Sequence, residues 1–457
     1  MSTSRRGFIT GCSAAVAAYA GTNFNTLAFG DPSYNEEILV TLFLRGGIDG
    51  LNMVMPISGA DRGLYESARP NIAVPTTGSN AALALSSKLG LHPAGADGPS
   101  GAPATFYDLY QQDKVAFVVA CGMHEDNRSH FDSMNFMELG TPGTLSTGTG
   151  WLTRHLQSAN NLPTEIIMPA LAAGNLQQNS LRGSIEAINM SDPDSFSLNV
   201  GPWEWRSAQR TALRRLYNGP SWLHQSGIET LDAVDIIELN GGSDGYTPGN
   251  GAVYPGGNLA EHLQTVARMI KLDLGLRVAT VDFGGWDTHN GQGDDGGGYF
   301  YNHAEELLSA LAAFYTDLDG SGSSNYTQRL TVVVMSEFGR RLRENDDRGT
   351  DHGHGCFVLV LSGNALGGVK GTWPGLDNDQ LFDGADLAVT TDYRRVLSEI
   401  LIRRLGNANL GEVFPGYTTY EPLGVVSGTD LPPIYGPEIF DSSFESGDLA
   451  DWSSAVP

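Results

Sequence analysis

Basic residues are scarce in this chain: 27 lysines and arginines face 52 aspartates and glutamates, for a formal net charge of −25. A field of that sign repels nucleic acid and anionic membrane and favours solubility in a salty medium. Cysteine is scarcer, at 3 residues, and none stands in CxxC spacing, which argues against a thiolate zinc site and a c-type haem. No GxGxxG opens a helix after a strand, so nothing points to nucleotide or flavin. No apolar run reaches the roughly 20 residues of a permanent membrane span, and no internal repeat is visible. Glycine, by contrast, is abundant at 58 residues, and this predicts many tight turns and long surface loops.

The N-terminus carries a specific short signal. "SRRGFIT" (Ser4 to Thr10) has paired arginines, then Phe8, then the small apolar run "GCSAAVAAYAG". The pattern resembles a twin-arginine export signal, cleaved after Ala20 or near Ala28 to Gly30, so residues 1–30 are assigned to it. The implied partner is the twin-arginine translocation machinery, and the implied location is periplasmic or extracellular. Too little apolar chain precedes Cys12 for "ITGC" to serve as a lipoprotein box. With the signal removed, Cys121 and Cys356 remain. Export would allow them to pair, but each adjoins an apolar run, as a buried small hydrophobe does.

Short apolar runs rich in β-branched residues recur at 38–44, 115–120, 276–283, 330–336 and 356–362. They are apolar on consecutive positions, the habit of strands covered on both faces in a parallel sheet. Helical periodicity lies among the later ones: Leu259, Leu263, Val266 and Ile270 share a face, as do Ala304, Leu307, Leu308, Leu311 and Phe314. A last helix carries Val396, Leu397, Ile400 and Leu401 inward and stops at Gly406. The alternation predicts an α/β fold with a mainly parallel central sheet and helices on both faces. Residues 31–430 read as one domain with Gly-rich loop insertions at 240–257 and 290–298, and 431–457 as a polar tail.

Open α/β sheets place their chemistry beyond the carboxyl ends of strands, which directs attention to the residues just after each run. After "TLFL" comes "RGGIDG", with Asp49; after "VAFVVA" comes "CGMHEDNRSHFDS", with His124, Asp126, Arg128, Ser129, His130 and Asp132. After "LRVATV" comes "DFGGWDTHNGQ", with Asp282, Asp287 and His289, and after "LTVVVM" comes "SEFGRR", with Glu337 and Arg340. The fifth cluster, "TDHGHG" with Asp351, His352 and His354, precedes its strand, and it joins the others only if that strand runs antiparallel or its loop folds over the edge. Mixed histidine and carboxylate ligands suit zinc, manganese or iron. Each piece also has a plainer reading: Asp49 as a helix cap, "DTH" as a carboxylate orienting a buried imidazole, Glu337 and Arg340 as an ion pair. "DHGHG" is the least plain, because its glycines leave the imidazoles little apolar cover.

These motifs, with "YESARPNIAVP", "LGLHPA", "GWLTR", "GTDHGHG" and "DYRRVL", occur in the order of the exported bacterial family known as domain of unknown function 1501, which the chain resembles from Ile38 to Leu405. That family is similar to the alkaline phosphatase and sulfatase superfamily. The resemblance implies a three-layer sandwich with one or two divalent metal ions at the strand ends. It also implies metal ligands among Asp49, Asp287 (or Asp282), His289, Glu337, Asp351, His352 and His354, and Ser129 as nucleophile. Arg128 or Arg340 would neutralise the transferring group. Where the superfamily has Ser-Asp-His-Gly, this chain has Ser336, Glu337, Phe338 and Gly339, so a ligand is missing unless His354, Asp351 or His130 replaces it. The expected activity is metal-dependent hydrolysis of a phosphate or sulfate ester, on a small molecule or a glycan. The alternative is a non-catalytic exported protein that binds an anionic glycan or an envelope partner.

Overall fold

The computed structural model describes residues 34–436, apart from 146, 164, 165, 167, 199, 200, 241–244 and 295. The export segment and residues 437–457 of the expected tail lie outside the described residues. The strands in chain order are β1 (Ile38–Leu44), β2 (Val54–Pro56), β3 (Leu83–Ala84), β4 (Leu89–Leu91), β5 (Val115–Gly122), β6 (Ala170–Ala173), β7 (Ala187–Met190), β8 (Val278–Phe283), β9 (Leu330–Ser336), β10 (Cys356–Ser362), β11 (Gly368–Lys370) and β12 (Thr391–Asp392). All five apolar runs are strands. β6 and β7 are too short and alanine-rich to stand out in the sequence.

Nine strands form one sheet in the order β11-β5-β10-β9-β1-β8-β6-β7, with β12 also paired to β5, while β2, β4 and β3 make a small separate sheet. β7, β6, β8, β1 and β9 are mutually parallel. β10 is antiparallel to both β9 and β5. Two reversals restore direction, so β5 points the same way as β9. The carboxyl ends of β5, β9, β1 and β8 therefore share an edge with the amino end of β10, and the "TDHGHG" loop meets the other four clusters there.

Alternate side chains of each central strand enter different cores. On one face Val40, Leu42, Val332, Val334, Leu359 and Phe117 pack under α1 (Asn258–Leu272) and α2 (Gly298–Leu318). On the other, Leu39, Phe43, Val333, Met335, Val358 and Val118 pack with the helices His130–Leu139, Trp151–Ser158 and Tyr393–Arg403. The fold is thus mixed α/β, with a mainly parallel sheet covered on both faces. Of the expected tail, Ile434 is bonded from its N–H to the Ala408 carbonyl at 2.7 Å.

Cys121 and Cys356 stand opposite one another in the β5–β10 pairing, but the register shifts between Cys356 and Phe357. Their side chains enter opposite cores: Cys356 joins Ile48 and Phe357, and Cys121 joins Val118 and Met123. Both thiols are free and buried. Burial pushes Cys356 up to about 12 and Cys121 well above the ordinary thiol value. Alkylation followed by peptide mapping should find both unmodified in the native protein and both modified after denaturation. A Cys121–Cys356 cross-link in the unreduced protein would contradict this arrangement.

Two buried imidazoles set an acid limit on stability. His155 accepts from Asn407 Nδ2 through Nδ1 at 3.0 Å, and His92 accepts from the Ala94 N–H through Nδ1 at 3.3 Å. Both must stay neutral to accept, and burial lowers them to about 4 and about 3 respectively. An unfolded histidine titrates near 6.5, so below that pH the unfolded chain binds protons that the folded one refuses. Stability present above about pH 6.5 is therefore lost as pH falls, by roughly 1.4 kcal/mol per pH unit for each residue. Thermal melts of His155→Gln should lose less midpoint temperature between pH 6.5 and 4.5 than the parent does; equal losses would remove His155 from the account.

Candidate metal centre

Three imidazoles reach the shared edge from three elements. His130 begins the helix His130–Leu139, which Ser129 caps and which ends at Gly140 in the left-handed conformation (φ 71°). His289 follows β8, and His352 sits in the loop before β10. That loop lies flat against the one after β9: Gly353 N–H donates to Gly339 O at 2.9 Å, and Gly339 N–H donates to His354 O at 2.9 Å. A Cβ on Gly353 would collide with the Arg340 backbone. The glycines of "DHGHG" are thus needed for close backbone approach, which is what carries His352 to the edge.

Each ring has its Nδ1 occupied by an acceptor. His130 Nδ1 lies 2.7 Å from Glu337 Oε1, His289 Nδ1 3.1 Å from Asp351 Oδ1, and His352 Nδ1 2.9 Å from the Arg128 carbonyl. These partners put the proton on Nδ1, so each neutral ring presents a bare Nε2. The Nε2 atoms converge on Asp287 Oδ1, at 3.1 Å from His289, 3.4 Å from His352 and 3.6 Å from His130. His289 Nε2 and His352 Nε2 are 2.9 Å apart. Two lone pairs at that distance repel unless a proton or a cation lies between them. Ligand atoms of His130, Asp287 and His352 all fall within 4.8 Å of one another. His130 Nε2 is buried with no hydrogen-bond partner, an orphaned acceptor aimed at the cluster.

The charge balance runs the same way. Asp287, Asp351 and Glu337 bring three carboxylates to the edge, with Arg340 bonded to Asp287 and the charge of Arg341 felt at Asp351. Burial pushes Asp287 up, but its bond from Arg340 and the charge of that guanidinium hold it below the usual carboxylate value. The Asn345 bond, with His289, does the same for Asp351. Burial lowers His352, which favours the neutral, ligating form. Neutral imidazoles beside an ionised carboxylate form a donor set that suits zinc, manganese or iron. The residues present fit such an ion.

The structure brings together Asp287, His289 and His352 from the expected ligands and adds His130, named in the sequence only as a replacement. Asp351 and Glu337 stand behind the imidazoles of His289 and His130, as acceptors for their N–H groups. Asp49 is elsewhere: its oxygens take Arg69 Nη1 at 2.6 Å and Nη2 at 3.0 Å in a pair whose side chains are 0% exposed, and Gln292 Nε2 at 2.6 Å. Asp282 pairs with Arg45 at 3.0 Å. His354 stacks on Phe382 with centroids 4.0 Å apart, and burial lowers it to about 4. Phe338 packs against the rings of His130 and His352, at 4.9 and 5.1 Å between centroids.

Arg340 offers no free fork, and Arg128 has its Nη2 committed. Arg340 is buried and gives its donors to the carbonyls of Gly46, Gly47, Trp286 and Thr350 and to Asp287 Oδ1 at 2.6 Å. Arg128 holds buried Asp386 at 2.7 Å and Asp383 at 3.5 Å. Ser129 is exposed, and its Oγ accepts from the Asp132 N–H at 3.4 Å. Alternation alone could not show which of two histidines one residue apart faces the edge. That depends on how the two loops pair.

Calorimetric titration of metal-stripped protein with zinc should give one equivalent per chain. His289→Ala and His352→Ala should each weaken binding at least tenfold, by loss of a donor, whereas His354→Ala should leave it unchanged. Equal weakening by His354→Ala would move the site.

No curated protein matches this chain. Residues 260–411 span Asp287, His289, Glu337, Arg340, Asp351 and His352, while Asp49, Ser129 and His130 fall before them. That span matches the family model described as "Protein of unknown function (DUF1501)", and the match supports placing the chain with that domain-of-unknown-function family.

Proposed function

We propose that the protein is an exported, metal-dependent hydrolase of phosphate or sulfate esters, on an alkaline-phosphatase-like fold. The observation that carries this reading is the convergence of bare imidazole nitrogens on Asp287, with His289 and His352 Nε2 only 2.9 Å apart. His130, Asp287, His289 and His352 would hold the ion. A bound dication there supplies Lewis-acid stabilisation of charge developing on the ester.

The remaining roles fall to the chain's own groups. Ser129 directly precedes ligand His130 at the amino end of a ten-residue helix, where backbone N–H groups and the helix dipole favour an anion. Its hydroxyl attacks phosphorus or sulfur in line, the ester oxygen leaves with the hydroxyl proton as an alcohol, and water then releases the group from Ser129. Arg340 contributes by fixing Asp287, since its donors are consumed by the protein. Export by the twin-arginine route belongs to the same proposal and rests on "SRRGFIT".

One observation favours the non-catalytic alternative: Arg340 is committed to carbonyls and Asp287, and Arg128 Nη2 to Asp386 and Asp383, which leaves the ester's outer oxygens at most Arg128 Nη1, itself 3.7 Å from Asp126. Assay of metal-loaded protein against p-nitrophenyl phosphate, bis-p-nitrophenyl phosphate and p-nitrophenyl sulfate separates the readings. Ser129→Ala should lose about 10³-fold or more in kcat with metal content unchanged. Turnover retained in that variant would remove Ser129 from the mechanism, and no turnover of any ester by the loaded parent would favour the binding protein.

A further inference from the structure

Glu337 stands at the end of β9, where the resemblance puts a direct carboxylate ligand. Its side chain is 0% exposed. Oε1 accepts from His130 Nδ1 at 2.7 Å and from the Gly46 N–H at 2.8 Å, and Oε2 accepts from Ser336 Oγ at 3.0 Å. Ser336 Oγ also lies 2.7 Å from the Leu44 carbonyl of β1, so its one proton is shared between that carbonyl and Glu337, and it accepts from the Ile48 N–H in the loop after β1 at 3.1 Å. Oε1 is thus held by two N–H donors and Oε2 by the shared hydroxyl proton. Gly46, just after β1, and Ser336, in β9, hold the carboxylate between two central strands. The imidazole beyond it is different. His130 has one nitrogen held by Glu337, while the other is buried, unpartnered and 3.6 Å from Asp287 Oδ1. Phe338 on one side and His352 on another confine the ring, with centroids at 4.9 and 4.3 Å.

We infer that Glu337 is a positioning residue which acts on a divalent transition metal only through His130, and that His130 occupies the ligand place a strand-end carboxylate would otherwise fill. The inference rests on the metal reading above. Physically, an anionic acceptor on Nδ1 fixes the tautomer that leaves Nε2 bare, holds the ring plane and makes Nε2 a stronger donor. The rigid anchor supplies the precision: the carboxylate is bonded at Gly46 and Ser336, so it cannot follow the ring if the ring turns. The strand-end position therefore keeps its negative charge but delivers it one imidazole further out.

Cobalt(II) serves as the probe, read by affinity and by its visible absorption. Glu337→Gln should weaken cobalt binding about 10–100-fold while the absorption bands keep their parent positions, because the donor atoms are unchanged. His130→Gln should shift the bands, because a nitrogen donor is lost. In a His130→Gln background, Glu337→Gln should have no further effect on affinity. Bands shifted by Glu337→Gln as by His130→Gln would make Glu337 a ligand and overturn the inference. So would an unchanged affinity, or an additive loss in the double variant. A measurement on the unaltered chain guards against variants that do not fold: proton NMR of the cobalt-loaded protein should show a shifted, exchangeable Nδ1–H for His130, and its absence would overturn the inference. A parent chain that binds no cobalt would refute the metal reading itself, whereas a parent that binds with Glu337→Gln indistinguishable from it would refute only the role of Glu337.

Discussion

The site depends on one buried guanidinium. Arg340 joins the carbonyls of Gly46 and Gly47 after β1, of Trp286 after β8 and of Thr350 before β10, and it also holds Asp287. Three loops from three strands are thereby fixed relative to each other by a planar, always-charged group with five donors. A side chain with fewer or rotatable donors could not satisfy that many acceptors in one plane. The arrangement accounts for two features that look unrelated in the sequence: paired glycines after β1 that bring backbone oxygens close, and an arginine three residues after a strand-end glutamate.

Around that clamp the cluster is built in two shells with opposite demands. The outer partners of the rings are acceptors (Glu337, Asp351 and the Arg128 carbonyl), so the protons of three imidazoles face away from the centre. The inner atoms are then all electron-rich. Such a centre is electrostatically unfavourable on its own, since three lone pairs face one another and a carboxylate, and only Arg340 Nη2, which donates to Asp287 Oδ1, relieves part of that. A cation relieves the rest. Phe338, packed against two of the rings, covers one side of the centre, while the His289 and Asp287 side chains, 43% and 49% exposed, leave the other side open to solvent.

Much of this is legible in the chain before any contact is known. Consecutive β-branched runs mark strands buried on both faces, and each of the five is a strand, since β-branched side chains pack well on a pleated surface covered from both sides. The strand-end rule then places Asp287 and His289 among the candidates for a reason independent of any relative, whereas His352 precedes its strand and joins them because β10 runs antiparallel. Where the expectation and the structure part, the cause is a competing local interaction. Asp49 follows its strand as a ligand would, yet Arg69, 20 residues on, takes both its oxygens. His354 shares Gly353 with His352, yet it stacks on Phe382, which the sequence places far away.

The sequence by itself determined the fold class and the set of chemistry-bearing residues, because hydrophobic period, turn glycines and strand-end position are local properties of the chain. Only the tertiary structure decided which residues meet. The antiparallel insertion of β10 between β9 and β5 brings "TDHGHG" to the carboxyl edge, and a reversed β10 would have left it at the opposite end of the sheet. Likewise, His130 rather than Glu337 reaches the centre because the glutamate is fastened to β1 through Gly46 and Ser336. Contacts between strands distant in sequence leave no periodic trace in either one, so strand direction and loop pairing become visible only when the sheet is assembled.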